Sequence, residues 1–127
     1  MTMIQRILVL PLILLALTSV SAPALSQSKD SYPVAELARI MGELHYLSYR
    51  CRGEEAQHWR REMLNLLDLE APTRGPVRTR LIDAFNAGYG LHDRNRTRCG
   101  AQGEMLERQL ASEGQVLARQ LTHTYID

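Results

Sequence analysis

The chain has 127 residues, and its 15 Lys and Arg residues nearly balance its 14 Asp and Glu residues. A chain of this length suits one small domain with a single hydrophobic core. The near-neutral charge, without any basic block, argues against a nucleic-acid-binding protein, because such proteins depend on neutralising phosphates.

Residues 1–26 predict a secretory signal peptide. Arg6 precedes an almost purely apolar run, Ile7–Val20, and Ala24 and Ser26 are the small residues that a cleavage site requires. We expect cleavage near Ser26/Gln27, which leaves residues 27–127 as an exported helical domain with no stable membrane span. The alternatives are an uncleaved anchor or a lipoprotein, but the apolar run is shorter than the roughly 20 residues that span a bilayer.

The two cysteines, Cys51 and Cys99, lack a metal-type spacing such as Cys-x-x-Cys. In an oxidising compartment, one disulfide between them is the simplest interpretation. Closing a loop of this length would stabilise the fold by about 4 kcal/mol in the chain-entropy model. A free thiol and an intermolecular bridge are the alternatives.

Apolar residues at three- and four-residue steps predict four helices. The first begins at Pro33 and ends at Gly53, and the second covers about residues 54–69. The third begins near Pro76. Gly88 and Gly90 weaken its later part, so we expect this helix to bend or loosen before residue 94. The fourth follows the Cys99-Gly100 corner and ends near residue 125. The pattern predicts an all-α fold, a four-helix antiparallel bundle with both cysteine corners at one end.

Each predicted helix has an apolar stripe that we assign to the core. The stripes are Leu37, Ile40, Met41, Leu44, Leu47 and Cys51; Ala56, Trp59, Met63, Leu66 and Leu67; Val77, Leu81, Ala84, Phe85, Gly88 and Leu91; and Met105, Leu106, Leu110, Val116, Leu117 and Leu121.

Glu113 is the residue that folding explains least well, because helical spacing places it in the middle of the fourth stripe. A buried carboxylate must pair or take up a proton. We expect an ion pair with Arg60 or Arg80, which lie at the edges of their core faces. A functional carboxylate at the floor of a cleft and a helix rotated to expose Glu113 are the alternatives.

Several aromatic and polar residues are candidates for a ligand-binding flank. Tyr46 points away from the apolar stripe of the first helix. It could serve as a stacking platform for a ligand, or it could be a tyrosine that a loop covers. Asn86 and Tyr89 share one flank of the third helix. His45 lies at the edge of an apolar face, where a hydrogen-bonded packing role is the ordinary interpretation, and Trp59 is assigned to the core.

The sequence offers little that is typical of an enzyme. It contains no Gly-x-Ser-x-Gly, no His-Glu-x-x-His and no phosphate-binding loop. His58 and Glu62 are one turn apart, but two ligands do not make a metal site. Glu70 and Glu113 are a conceivable carboxylate pair for glycoside hydrolysis. We therefore predict no catalytic residue, no metal and no cofactor.

The chain resembles a known family over about residues 32–125. The resemblance rests on Gly42–Leu47, Cys51, Trp59-Arg60, Met63, Leu66-Leu67, Glu70, Pro72, Arg80-Leu81, Ala84–Asn86, Gly88-Tyr89, Cys99, Glu113-Gly114 and Leu117-Ala118. The family consists of small exported alphaproteobacterial proteins, mostly uncharacterised and frequent among rhizobia. It is similar to periplasmic polar-growth proteins that bind peptidoglycan, which implies an all-helical, non-enzymatic wall-binding module. The resemblance implicates as motif positions His45, Tyr46, Trp59, Arg60, Asn86, Tyr89 and Glu113.

Together these observations lead to the hypothesis of a periplasmic, peptidoglycan-associated binding protein with a role in envelope growth. In this hypothesis the flank of Tyr46, Asn86 and Tyr89 contacts sugar or peptide. Arg60 and Arg80 pair with Glu113 or with ligand carboxylates. A protein–protein adaptor in an envelope complex and a weak cell-wall hydrolase are the alternatives.

Overall fold

The computed structural model describes residues 33–126, which form four helices and, within that range, no strand. The helices are α1 (Pro33–Arg52), α2 (His58–Glu70), α3 (Pro76–Asn95) and α4 (Ala101–Ile126). The all-α, four-helix prediction is confirmed. None of these described helices combines the length and the apolar character that crossing a bilayer demands. The predicted signal peptide lies outside the described residues.

Helix α1 is the central element of the bundle. Eleven of its 20 residues are buried, including every residue from Gly42 to Ser48. It packs most extensively against α3, then against α4 and α2, whereas the backbone of α4 approaches only that of α1 among the described helices. Three neighbours therefore surround a single helix, and α1 is buried on more than the one face that an amphipathic pattern suggests.

The helices alternate in direction along the chain. Glu43 of α1 bonds His92 of α3, and Gly42 approaches Phe85, so α1 and α3 run parallel. Helix α4 runs antiparallel to α1, since Arg52 pairs with Glu107 near the start of α4 and the later residue Gly114 reaches back to Ile40 and Leu37. Antiparallel consecutive helices bring the ends of α1 and α3 to the same end of the bundle as the starts of α2 and α4.

Two glycines allow the close contact between α1 and α3. A Cβ at Gly42 would overlap the carbonyl oxygen of Phe85, and a Cβ at Gly88 would overlap the carbonyl oxygen of Arg39. Any larger residue at either position forces the backbones apart. The expectation that Gly88 would loosen α3 is wrong, because the helix continues unbroken to Asn95.

Both cysteine corners turn at glycines. Gly53 and Gly100 have φ values of 94° and 97°, a conformation that other residues rarely adopt. The predicted disulfide is confirmed: it joins Cys51 to Cys99 with the two Cα atoms 5.4 Å apart. The expected start of α2 near residue 54 is wrong. Backbone hydrogen bonds at Ala56 and Gln57 close turns, and α2 begins only at His58.

The core consists of two clusters along α1. One contains Val34, Ala38, Met63, Leu67, Ala71 and Leu81, and the other contains Ile40, Leu44, Tyr46, Leu47 and Leu110, with Trp59 packed against it. Five residues assigned to core stripes are exposed instead: Cys51, Val77, Leu91, Met105 and Val116. Cys51 lies at the last turn of α1, and the other four are exposed because α3 and α4 each bury only a narrow face against α1, so the edges of their stripes reach solvent.

Candidate binding groove

An open groove of about 580 Å³ lies between α2 and α3, with α1 beneath it. Contacts between α2 and α3 are few, so the two helices stand apart and leave part of α1 uncovered. We call this the α2–α3 groove, and its lining residues are His45, Tyr49, Gln57, Arg60, Met63, Leu64, Leu67, Arg78, Ile82, Phe85, Asn86 and Tyr89. Apolar walls with a few polar groups are typical of small-ligand sites.

Rings meet around His45 at the base of the groove. The His45 ring stacks on Phe85 with centroids 5.7 Å apart, and it lies 5.7 Å from Tyr89 and 5.8 Å from Tyr49. Tyr89 also meets the edge of Tyr46 at 5.3 Å. These contacts fix the positions of the rings before any ligand arrives, which reduces the entropy lost on binding.

Two buried polar atoms in the groove residues lack hydrogen-bond partners. They are Nδ1 of His45 and Oε1 of Gln57, and no other buried side-chain nitrogen or oxygen of the described residues is unsatisfied. An unsatisfied buried polar atom costs about 1–3 kcal/mol. Such atoms therefore call for an explanation. Both belong to residues that line the same groove, but neither atom itself reaches the groove surface.

The polar rim of the groove contains Arg60, Arg78 and Asn86. Arg78 is engaged already: its Nη1 donates to the Ala71 carbonyl at 2.9 Å at the end of α2. Arg60 and Asn86 are exposed, and neither side chain forms a hydrogen bond or ion pair with another described residue. Burial lowers the pKa of His45, and the positive charge of Arg60 lowers it further, so the imidazole is neutral at neutral pH. The neutral ring offers one donor and one acceptor nitrogen.

Four of the seven predicted ligand-binding residues meet in this groove: His45, Arg60, Asn86 and Tyr89. Tyr46 does not. Its predicted outward position is wrong, because the side chain is 3% exposed and belongs to the core cluster around Leu44. The prediction failed because α3 covers the side of α1 that a one-sided helix would leave open.

The predicted burial of Glu113 is also wrong. Glu113 is exposed on α4 and accepts a hydrogen bond from Gln109 at 3.0 Å. Its neighbour Gly114 takes the central position of the stripe and packs against Ile40 and Leu37. In the described part of the chain, no ion pair joins Glu113 to Arg60 or to Arg80, and the exposed Arg80 lies outside the groove.

The sequence analysis missed a buried polar network between α1 and α3. Glu43 and His92 are 4% and 6% exposed, and Nε2 of His92 lies 2.6 Å from Oε2 of Glu43. Arg39 bonds the other carboxylate oxygen, and Nδ1 of His92 meets Oγ1 of Thr97 at 2.9 Å. Each buried group has a partner, so the network is a fully satisfied link between the two helices.

Tyr49, Gln57 and Arg78 are groove residues that the sequence analysis also missed. Tyr49 is four residues after His45, so the i to i+4 rule places both on one helical face. That spacing was a usable signal. The sequence contains no such signal for Gln57 or Arg78. The position of Gln57 depends on the turn before α2, and the position of Arg78 depends on how α3 packs relative to α2.

A metal site finds no support among the described residues. Nδ1 of His58 lies 3.8 Å from a carboxylate oxygen of Glu62, but no group of three His, Cys, Asp or Glu side chains in the described part could hold an ion. The groove lining offers aromatic faces, amide and imidazole groups, and the guanidinium groups of Arg60 and Arg78.

Comparison with known proteins identifies a family. A family described as a protein of unknown function, DUF2385, matches residues 31–125. No curated protein and no solved structure matches the chain significantly. The matched range covers all of α1, α2 and α3 and nearly all of α4. The chain belongs to the DUF2385 family.

Proposed function

We propose that this protein is a periplasmic, non-enzymatic binding protein that holds a fragment of peptidoglycan in the α2–α3 groove. The observation that carries the proposal is the groove itself, with the rings of His45, Phe85 and Tyr89 at its base. Arg60 and Asn86 at its rim make no side-chain hydrogen bond or ion pair with another described residue. Hydroxyl and amide groups can bond both of these side chains. Such groups are abundant in the sugar and peptide parts of peptidoglycan.

The rest of the groove suits the same ligand class. The faces of Phe85 and Tyr89 offer apolar contact area for a sugar ring or a small side chain. Arg60, which has no ion pair among the described residues, offers a charge-assisted hydrogen bond to a carboxylate of the peptide part. The resemblance to wall-binding proteins points in the same direction.

Co-sedimentation with purified, protein-free sacculi tests this proposal. The protein is oxidised, so that the Cys51–Cys99 bond is intact. We expect the wild type to sediment, and we expect Arg60→Ala to weaken binding by roughly tenfold, since a hydrogen bond to a charged group contributes about 1.5–3 kcal/mol. Arg80→Ala is the matched control, because Arg80 is an exposed arginine outside the groove.

Three outcomes contradict the proposal in different ways. Equal losses in both arginine variants would mean attraction by overall charge and would remove the groove from the account. Absence of sedimentation by the wild type would remove direct wall binding. A fall in the turbidity of the suspension, due to the wild type, would replace binding by hydrolysis.

The second candidate is a protein–protein adaptor, and two exposed apolar residues favour it. Leu64 on α2 and Ile82 on α3 are 50% and 39% exposed and line opposite walls of the groove. An adaptor would sediment with sacculi that retain their proteins but not with protein-free sacculi. It would lose that sedimentation in the double variant Leu64→Ser/Ile82→Ser.

A further inference from the structure

A second cleft, of about 600 Å³, lies at the disulfide end of the bundle. Its walls come from the ends of α1 and α3 and from the segment that leads to α4. Four arginines line it, Arg50, Arg94, Arg96 and Arg98, with Asp93 as the one carboxylate among the lining residues. Four positive side chains and one negative side chain leave a formal charge of +3. We call it the arginine cleft.

The four arginines are free of ion pairs in the described part of the chain. Arg39, Arg52 and Arg78 each lie within 4.0 Å of a carboxylate, but no described carboxylate lies that close to a guanidinium of the arginine cleft. Like charges gathered in one cleft repel one another and raise the local potential. A bound anion removes that repulsion.

Helix ends do not account for this excess charge. The carboxyl ends of α1 and α3 carry about half a negative charge each, which basic residues stabilise. However, the amino ends of α2 and α4 lie at the same end of the bundle and carry about half a positive charge each. Even without that opposing charge, two helix ends supply only about one negative charge, which is less than the formal +3 of the side chains that line the cleft.

The segment that carries the arginines is held in place by several bonds. Arg96 adopts a left-handed conformation with φ 49°, and its N–H donates to the Asp93 carbonyl at 3.2 Å. The Thr97 hydroxyl meets the His92 ring at 2.9 Å, and Cys99 is tied to α1 by the disulfide. Backbone positions fixed before binding reduce the entropic cost of holding a ligand.

We propose that the arginine cleft binds a ligand that carries a diphosphate group. Guanidinium groups present parallel N–H donors that fit phosphate oxygens two at a time. A single carboxylate would engage one of the four arginines, whereas a compact, multiply charged diphosphate engages several at once. A soluble diphosphate compound and the diphosphate headgroup of a lipid share this chemistry. The proposal is independent of the α2–α3 groove and of wall binding.

Titration calorimetry with inorganic pyrophosphate at low ionic strength tests the site on the full oxidised protein. We expect pyrophosphate to bind at least tenfold more tightly than orthophosphate. Arg50→Gln and Arg96→Gln should each weaken pyrophosphate binding by roughly tenfold, because each removes a charge-assisted hydrogen bond. Arg108→Gln is the matched control: Arg108 is exposed on α4 and lines neither cleft. All three variants should keep the unfolding midpoint of the wild type.

A second arm identifies the source of the diphosphate. Flotation with phosphatidylcholine vesicles is compared with and without a polyprenyl diphosphate, and recruitment that Arg50→Gln loses would support a lipid carrier. Pyrophosphate binding without recruitment would support a soluble compound. Absence of both pyrophosphate binding in calorimetry and recruitment to the vesicles would overturn the proposal. Equal weakening by Arg108→Gln would overturn it as well, because attraction by overall charge would then explain the binding.

Discussion

The two sides on which α3 meets its neighbours are built in opposite ways. Toward α1, glycines bring the backbones together, and the buried Glu43 and His92 have their partners. Toward α2, α3 stands apart from its neighbour, and buried polar atoms of His45 and Gln57 lack hydrogen-bond partners. The comparison teaches that this small domain satisfies its buried polar groups where it closes and leaves them unsatisfied where it stays open.

The length of α2 explains part of the contrast. Helix α2 has 13 residues, whereas α1 and α3 have 20 each, so α2 cannot cover both of its longer neighbours along their full length. Its late start at His58 also leaves Gln57 at the edge of the groove, where its Nε2 donates to the Glu54 carbonyl at 2.8 Å. The groove is thus a consequence of a short helix after a glycine corner.

The largest effect should come from filling the closed side. Gly88→Ala places a methyl group against the carbonyl of Arg39, and since neither backbone can yield locally, we expect a loss of about 3 kcal/mol in the free energy of unfolding. Gly90→Ala is the matched control, two residues along the same helix. Its methyl group meets only the movable Nη1 of Arg94, so helix propensity should stabilise that variant by up to about 1 kcal/mol.

Urea denaturation of both variants checks this prediction. The sign should differ between Gly88 and Gly90 although the substitution is the same. A Gly88→Ala protein as stable as the wild type would mean that α1 and α3 are further apart than described, and the closed side of the comparison would be lost.

The four helices could be predicted from the sequence because they depend on local spacing, and the disulfide could be predicted because the chain has two cysteines, at corners that the predicted bundle brings to one end. The apolar steps from Leu37 to Leu47 and the two cysteine corners required no knowledge of packing. The burial of Tyr46 and the exposure of Glu113 could not be predicted without knowledge of packing, because they depend on how many helices pack against the helix that carries the residue. Helix α1 has three neighbouring helices, which bury Tyr46, whereas α4 packs against α1 alone among the described helices and leaves Glu113 exposed.

The groove was predicted in part for the same reason. His45, Arg60, Asn86 and Tyr89 stood out as residue types that core packing explains poorly, and the structure brings them together. Glu43 did not stand out, since a carboxylate next to a leucine on a helix is ordinary. Its burial follows from the glycine contact one residue earlier, which only the fold reveals.

Substitutions of the two buried histidines should change the free energy of unfolding by an intermediate amount and in opposite directions. His92→Phe keeps a ring but removes the hydrogen-bond partner of Glu43, and a buried carboxylate oxygen left without that partner should cost about 2 kcal/mol. His45→Phe keeps the contacts with Phe85 and Tyr89 and removes an unsatisfied nitrogen, so it should stabilise the protein by about 1 kcal/mol. Thermal or urea unfolding measures both.

The two histidine variants also separate stability from binding. If His45 serves a ligand, His45→Phe should be more stable and yet bind sacculi less well, a combination that a merely structural residue does not produce. If His45→Phe is destabilised as much as His92→Phe, the nitrogen has a partner that the geometry does not show. The open side would then not differ from the closed side.

The smallest effect is a dependence of stability on pH. Burial lowers the pKa of His45 and of His92 below the ordinary value of 6.5, and nearby arginines lower both further. Below about pH 6.5 the unfolded chain takes up protons that the folded chain excludes, so stability is full above that pH and falls as the pH decreases. Each histidine contributes a slope of at most about 1.4 kcal/mol per pH unit.

Urea midpoints between pH 7.5 and 5.5 measure the slope above the range where Glu36 and Glu107 titrate, since their arginine partners lower the pKa of both below 4.5. His45→Phe should reduce the slope and leave the part due to His92. An unchanged slope would mean that His45 is protonated equally in the folded and the unfolded chain, and therefore that solvent already reaches its ring.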